Sequence, residues 1–346
     1  MRVLLTGGAG FIGQHVLAEL LRKGHTVRVL DSLRPDVHRQ APNWMPPAGV
    51  ELQIGDVRDA AACDAALPGM EAVVHLAAKV GLGVDVADLP DYASSNDAGT
   101  AMLLARMAHF GAARLTVASS MVVYGEGVGL CAEHGAVTPG PRLEASLAAG
   151  DFEPPCPHCG QRLGTALVSE AVAFDPRNAY ATSKVAQEFY ASNWARVTGG
   201  SAAMMRYHNV YGPGMPRDTP YAGVAAIFTS ALRAGRAPRV FEDGGQRRDF
   251  VHVRDIAAAT VAACEQHQSG VAAFNVGSGT PRTVGEMAQA LARALKGPEP
   301  VVTGQYRLGD VRHITADSAR LREVLGCHPK VAFEDGMAEL AHLPVE

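Results

Sequence analysis

Thr6-Gly7-Gly8-Ala9-Gly10-Phe11-Ile12-Gly13 is the stretch that decides the fold. It follows the apolar run Val3–Thr6, which reads as a buried strand, and it opens Ile12–Lys23, whose apolar periodicity predicts a helix closed by Gly24. Gly7, Gly10 and Gly13 each have a separate task in such a turn. The first permits the tight bend, the second lets the backbone approach a pyrophosphate, and the third lets the helix pack on the strand. The pyrophosphate then rests on the helix N-terminus, where free N–H groups and the dipole favour an anion. Phe11 and Ile12 begin that helix beside the cofactor.

Thr26–Leu30 reads as the next strand, and Asp31 closes it about 20 residues after the glycine turn. A carboxylate there accepts the adenosine ribose hydroxyls and repels a 2′-phosphate, so it favours NAD over NADP. Arg34 stands close enough to soften that preference. Ala72–Leu76 and Leu115–Ala118 read as further buried strands. Short apolar strands alternating with helices predict a doubly wound parallel sheet, the Rossmann arrangement. We expect a NAD-binding domain over residues 1–205, broken by an insertion at about 126–178. Residues 206–346 are expected to form mainly a smaller α/β substrate lobe, with some segments returning to the first domain.

Bulk composition agrees with an ordinary globular enzyme. The chain has 346 residues, 47% hydrophobic and 19% charged. Its net charge of −4, without a Lys/Arg block, excludes a nucleic-acid footprint. Met1-Arg2 runs straight into Val3-Leu4-Leu5, too short an apolar stretch for a signal peptide or a membrane span, so a cytoplasmic location is expected.

Tyr180-Ala-Thr-Ser-Lys184 places a phenol and an ammonium one helical turn apart. A nearby cation is expected to stabilise phenolate and lower the tyrosine from its usual pKa of about 10 toward working pH. Tyr180 then accepts a proton from a sugar hydroxyl while NAD takes the hydride.

With these motifs on the page, the chain resembles the extended short-chain dehydrogenase/reductases, in particular their nucleotide-sugar epimerase/dehydratase branch. Gly55-Asp56-Val57-Arg58-Asp59 is similar to the adenine-binding turn, which implies that Asp56 and Val57 meet the base. His75-Leu76-Ala77-Ala78-Lys79 resembles the segment that lies along the cofactor, and Asn96 the buried asparagine before Gly99-Thr100. Ser119-Ser120-Met121-Val122-Val123-Tyr124-Gly125 resembles the segment that bears the catalytic hydroxyl, here Ser120. The resemblance further implies Asn209, Arg248 and Arg307 as substrate contacts, with the two arginines clamping a nucleoside diphosphate. It implies a homodimer as well, in which the helix from Tyr180 pairs with one near Ala98–Ala108 about a two-fold axis.

Two features bear on the reaction. In the family's 4,6-dehydratases the positions after the catalytic hydroxyl carry an Asp and a Glu; here they are Met121 and Val122, which cannot transfer protons. That leaves 4-epimerisation, with a nucleotide 4-ketosugar reductase as the alternative. A purely dinucleotide-sensing module is the third reading, against which Ser120, Tyr180 and Lys184 all stand. The insertion, meanwhile, carries Cys131-Ala-Glu-His134 and Cys156-Pro-His-Cys159-Gly160. Two such knuckles predict a closed Cys₃His zinc ribbon of structural type. Its Cys-Pro-His-Cys-Gly run resembles the dTDP-L-rhamnose 4-epimerase branch, which interconverts dTDP-L-rhamnose and dTDP-6-deoxy-L-talose.

Overall fold

The computed structural model describes residues 1–35, 44–81, 85–216, 223–266 and 270–343. The chain starts with β1 (Arg2–Thr6), α1 (Phe11–Arg22), β2 (Thr26–Asp31) and β3 (Glu51–Ile54). There follow α2 (Ala60–Ala66), β4 (Ala72–His75), α3 (Gly99–Phe110) and β5 (Arg114–Ser120). After the insertion come α4 (Ala179–Thr198), β6 (Ser201–Tyr207), α5 (Val253–Glu265) and β7 (Gly270–Val276). The seven strands form one parallel sheet in the order β7-β6-β5-β4-β1-β2-β3. The order reverses between β1 and β4, and the carboxyl ends of these two strands flank the crevice where such sheets bind ligands.

Strand periodicity sorts the core into two layers. Val3 and Leu5 point to the face covered by Val16 and Leu20 of α1 and Ala257 and Val261 of α5. Leu4 points to the other face, where Leu103 and Met107 of α3 meet Trp194 and Ala195 of α4. Helix α1 ends as the sequence predicts: Lys23 caps it and Gly24 follows at φ +79°.

The smaller lobe has its own core, in which Phe228 and Leu232 pack with Met287, Leu291, Met337 and Leu340. Val284–Leu295 starts with a capping box between Thr283 and Glu286. Both β7 and α5 lie C-terminal to the expected domain boundary yet belong to the sheet and its helical layer. The insertion, weak in sequence periodicity, folds into a three-stranded antiparallel sheet of Gly129–Cys131, Gly135–Val137 and Gly164–Thr165, with a short helix at Glu144–Ala148.

Candidate active site

The glycine turn is built for close approach. A Cβ on Gly13 would come within 2.1 Å of the Gly7 carbonyl, and one on Gly7 within 2.7 Å of the Ala77 nitrogen. Gly7 also takes φ +72°. Above this turn lies a cleft of about 430 Å³ lined by Gly7, Gly10, Phe11, Ile12, Gly13, Asp31, Asp56, Val57, Leu76, Ala77, Ala78, Lys79, Tyr180 and Lys184. Thus every residue expected to touch the cofactor except Asn96 faces one cavity. Asn96 lies beneath it, fully buried. Its Oδ1 accepts from Lys79 N (2.7 Å), and its Nδ2 donates to Lys79 O (3.0 Å) and Ser183 Oγ (2.8 Å). It ties the Lys79 wall of the cleft to the helix that carries Tyr180.

Asp31 is buried, and its carboxylate accepts from Ala9 N and Leu33 N, both at 3.0 Å. These amides hold it at the end of β2, facing the cleft. Asp56 is engaged by Arg58 at 2.6 Å, which keeps its carboxyl below the usual range. Lys79 turns its ammonium away to Asp91 at 2.7 Å.

Asn178 caps α4, its side chain accepting from Ala181 N at 2.8 Å. The cap places Tyr180 in the first turn and Lys184 one turn on. Ser120 at the end of β5 stands close enough to the Tyr180 phenol to lower its pKa, while its Oγ accepts from Val122 N. The three residues converge as expected, but the electrostatics run opposite to the sequence expectation. Burial pushes the Tyr180 phenol up to about 12, only partly opposed by Ser120. The reason lies in Lys184. Its Nζ is 5.8 Å from the centre of the Tyr180 ring and donates instead to Ala118 O (3.0 Å) and Gln187 Oε1 (2.8 Å). Burial lowers Lys184 to about 8, against the pull of Glu188 and then Asp97.

Several working groups escaped sequence reasoning. Glu188 follows Lys184 by another turn and makes a buried two-pronged pair with Arg206, at 2.9 and 2.7 Å, while accepting from Ser119 Oγ at 2.5 Å. Its signal was the continued i, i+4 spacing from Tyr180. Asp97 carries a half-buried carboxyl that burial raises to about 6, against the pull of Lys184; its Oδ1 has no partner among the described residues. It lies in a π-helical turn, Ala93–Ala98, leading into α3, a local geometry common at functional sites.

Of the expected substrate contacts, Asn209 begins the short strand Asn209–Tyr211, paired with Phe250–His252. Its Oδ1 is buried without a partner among the described residues. Arg248 is held by three carbonyls, of Arg247, Val311 and Arg312, at 2.6–2.9 Å. Arg307 is exposed and stacks its guanidinium 5.0 Å from the Phe241 ring centre. Burial pushes the Asp310 carboxyl up, against the fields of Arg248, Arg307 and Arg142.

In the insertion, Cys131, His134, Cys156 and Cys159 come together with all four ligand atoms within 4.8 Å of one another. Individual separations are 3.5 Å (Cys131 Sγ to His134 Nδ1), 3.6 Å (Cys131 Sγ to Cys159 Sγ) and 3.8 Å (Cys156 Sγ to His134 Nδ1). His158 lies outside the set, its ring centre 5.0 Å from that of His134.

A doubly wound sheet with a glycine-turn cleft lined by Tyr180 and Lys184 has the architecture of a dinucleotide-dependent enzyme. Residues 3–143 and 159–277 match the model of the NAD dependent epimerase/dehydratase family, and the chain belongs to that family. It is 35% identical to the dTDP-L-rhamnose 4-epimerase of Burkholderia thailandensis, over 98% of this chain and 93% of the relative. It is 33% identical to a UDP-glucose 4-epimerase of Mycolicibacterium smegmatis, over 98% and 97%. Among solved structures, the UDP-glucose 4-epimerase of Thermotoga maritima with UDP-glucose superposes with a TM-score of 0.80 at 28% identity, covering 99% of this chain and 97% of that one. The Thermus thermophilus UDP-glucose 4-epimerase in complex with NAD gives 0.76 at 31% identity, covering 99% and 98%.

Proposed function

We propose that the protein is an NAD-dependent nucleotide-sugar 4-epimerase, with dTDP-L-rhamnose and dTDP-6-deoxy-L-talose as its substrate pair. The observation that carries the reading is Tyr180 and Lys184 lining the cleft with Ser120 beside the phenol, and Met121 and Val122 following Ser120 where elimination of water would need an acid and a base. NAD, held on the glycine turn and against Asp31, would supply the hydride acceptor that also returns the hydride.

This chain's residues supply the remainder. Tyr180 Oη takes the proton of the sugar 4-hydroxyl and later gives it back. Ser120, which stands beside the phenol, holds the same oxygen. With the phenol raised to about 12, Tyr180 needs a cation near it when it acts as base, and Lys184, cationic below about 8, supports the phenolate from one turn away. Arg248 and Arg307 take the diphosphate; Asn209, whose buried Oδ1 has no partner among the described residues, can accept from a substrate hydroxyl. The 4-keto sugar must turn over before hydride returns, so these contacts hold the nucleotide while leaving the sugar free to rotate.

The Cys/His cluster suits a structural zinc. Tetrahedral Zn–S bonds of about 2.3 Å require ligand–ligand edges near 3.8 Å, as found here. Four protein ligands leave no open position, so the metal would stabilise the insertion and take no part in the chemistry. A homodimer completes the reading. Helices α3 and α4 pack side by side, and α4 exposes Phe189 (60%), Tyr190 (44%) and Val197 (77%), an apolar face suited to a second copy. Sedimentation velocity should give twice the chain mass, and Phe189→Glu should shift it to monomer. We place the enzyme in the cytoplasm, where its six unbridged cysteines stay reduced; among the described residues no helix is long and apolar enough to cross a membrane.

A net 4-ketosugar reductase is the second reading, favoured by Arg34 in the cofactor cleft, where it would meet a 2′-phosphate. Purified enzyme incubated with dTDP-L-rhamnose and no added cofactor separates the two. Formation of the 4-epimer supports epimerisation; turnover only with stoichiometric NADPH on a 4-keto sugar overturns it.

A further inference from the structure

The insertion is fastened to the C-terminal lobe through buried charges. Arg142, buried, donates from Nη1 to Glu242 Oε1 (2.9 Å) and from Nη2 to the Asp310 carbonyl (2.5 Å). Glu242 Oε2 in turn accepts from Arg312 Nη1 (2.8 Å). Arg312 gives Nε and Nη2 to Glu153 Oε1 at 2.9 and 2.6 Å, while Glu153 Oε2 meets His313 Nε2 at 2.8 Å. Glu126 Oε2 takes the backbone N–H of Arg312 at 3.1 Å. Three residues of the insertion therefore grip positions 310, 312 and 313. Glu242 sits at φ +52°, a left-handed conformation that a non-glycine residue holds only when its surroundings over-determine it. Two buried arginines on one carboxylate do so.

The gripped segment aims Arg248. Its Nη2 donates to the Val311 carbonyl at 2.6 Å and its Nη1 to the Arg312 carbonyl at 2.9 Å. Backbone carbonyls cannot follow a side chain that moves, so the direction of this guanidinium is set by wherever residues 311 and 312 are held.

We infer that Arg142 is a positioning residue for nucleoside-diphosphate recognition: through Glu242 and the Asp310 carbonyl it fixes the segment whose carbonyls orient Arg248, so the insertion controls substrate affinity from outside the site. This rests on the reading of Arg248 as a diphosphate ligand. It requires no contact between Arg142 and substrate, and none of Arg142, Glu242 and residues 310–313 lines the cofactor cleft.

The test is a double-mutant cycle on the full-length enzyme, read by calorimetry with dTDP and UDP as probes and by steady-state kinetics. Arg142→Met should raise the Kd of the diphosphate and the KM of the sugar nucleotide about tenfold, the coupling expected of residues in one hydrogen-bonded network. It should leave kcat and bound NAD unchanged, whereas general loosening of the fold would lower both. In an Arg248→Ala background the same substitution should change diphosphate affinity less than about twofold. Full additivity of the two losses, or an unchanged Kd in Arg142→Met, overturns the inference. Unchanged diphosphate affinity in Arg248→Ala alone overturns the underlying reading instead. Should Arg142→Met fail to fold, Glu153→Gln loosens the same segment from a more exposed position and must raise the diphosphate Kd without lowering bound NAD.

Discussion

Replacing Glu188 by glutamine tests the buried charge system under the catalytic pair in two independent ways. Glu188 makes two hydrogen bonds to Arg206 and one to Ser119, and the side chains of the ion pair are only 3% and 5% exposed. A glutamine of the same shape keeps one acceptor and loses the charge, which leaves the Arg206 guanidinium buried against Tyr124 OH and the Glu170 carbonyl. Removing one member of a buried pair typically costs about 3–5 kcal/mol; the retained amide acceptor and these two neighbours put the expected loss at the lower end. Equilibrium urea unfolding, on enzyme with matched cofactor content, measures it. The second effect is on Lys184, whose pKa burial lowers to about 8 while Glu188 and Asp97 pull it back up. Without the Glu188 charge the ammonium deprotonates at a lower pH. Activity that needs cationic Lys184 is present below its pKa and lost above it, so the alkaline limb of kcat/KM must move to lower pH. A variant within about 1 kcal/mol of the parent would refute the buried-pair reasoning. An alkaline limb that stays in place or moves up would refute the link between Glu188 and Lys184.

Three further outcomes follow from the site. Tyr180→Phe should cut turnover about 100-fold or more, the usual range for losing a general base, while retaining bound cofactor; near-parental rates would remove Tyr180 from that role. Because Asp31 faces the cleft as a carboxylate, NAD should bind far more tightly than NADP in a fluorescence titration, and Asp31→Asn should narrow the gap; equal affinities in the parent enzyme would contradict the assignment. Metal analysis should find one zinc per chain, lost in Cys156→Ser together with protease resistance between residues 125 and 178, but with NAD binding kept; zinc well below one equivalent would make the cluster four ordinary loop residues.

What the sequence determined by itself was whatever depends on local spacing. The Gly7–Gly10–Gly13 turn, the Asp31 strand end, the one-turn spacing of Tyr180 and Lys184, and the paired Cys/His knuckles are each recognisable because backbone geometry dictates which residue types fit at which intervals. The tertiary structure decided the properties that depend on what lies across the fold. That Tyr180 is raised, not lowered, follows from burial beneath the cleft and from Lys184 turning to Ala118 O and Gln187. The return of α5 and β7 to the first domain depends on which lobe offers them a covering layer. The grip of Glu126, Arg142 and Glu153 on residues 310–313 joins chain segments up to 186 positions apart. Local propensity carries no information about such pairs, because desolvation and charge pairing are set by neighbours that only the folded chain brings together.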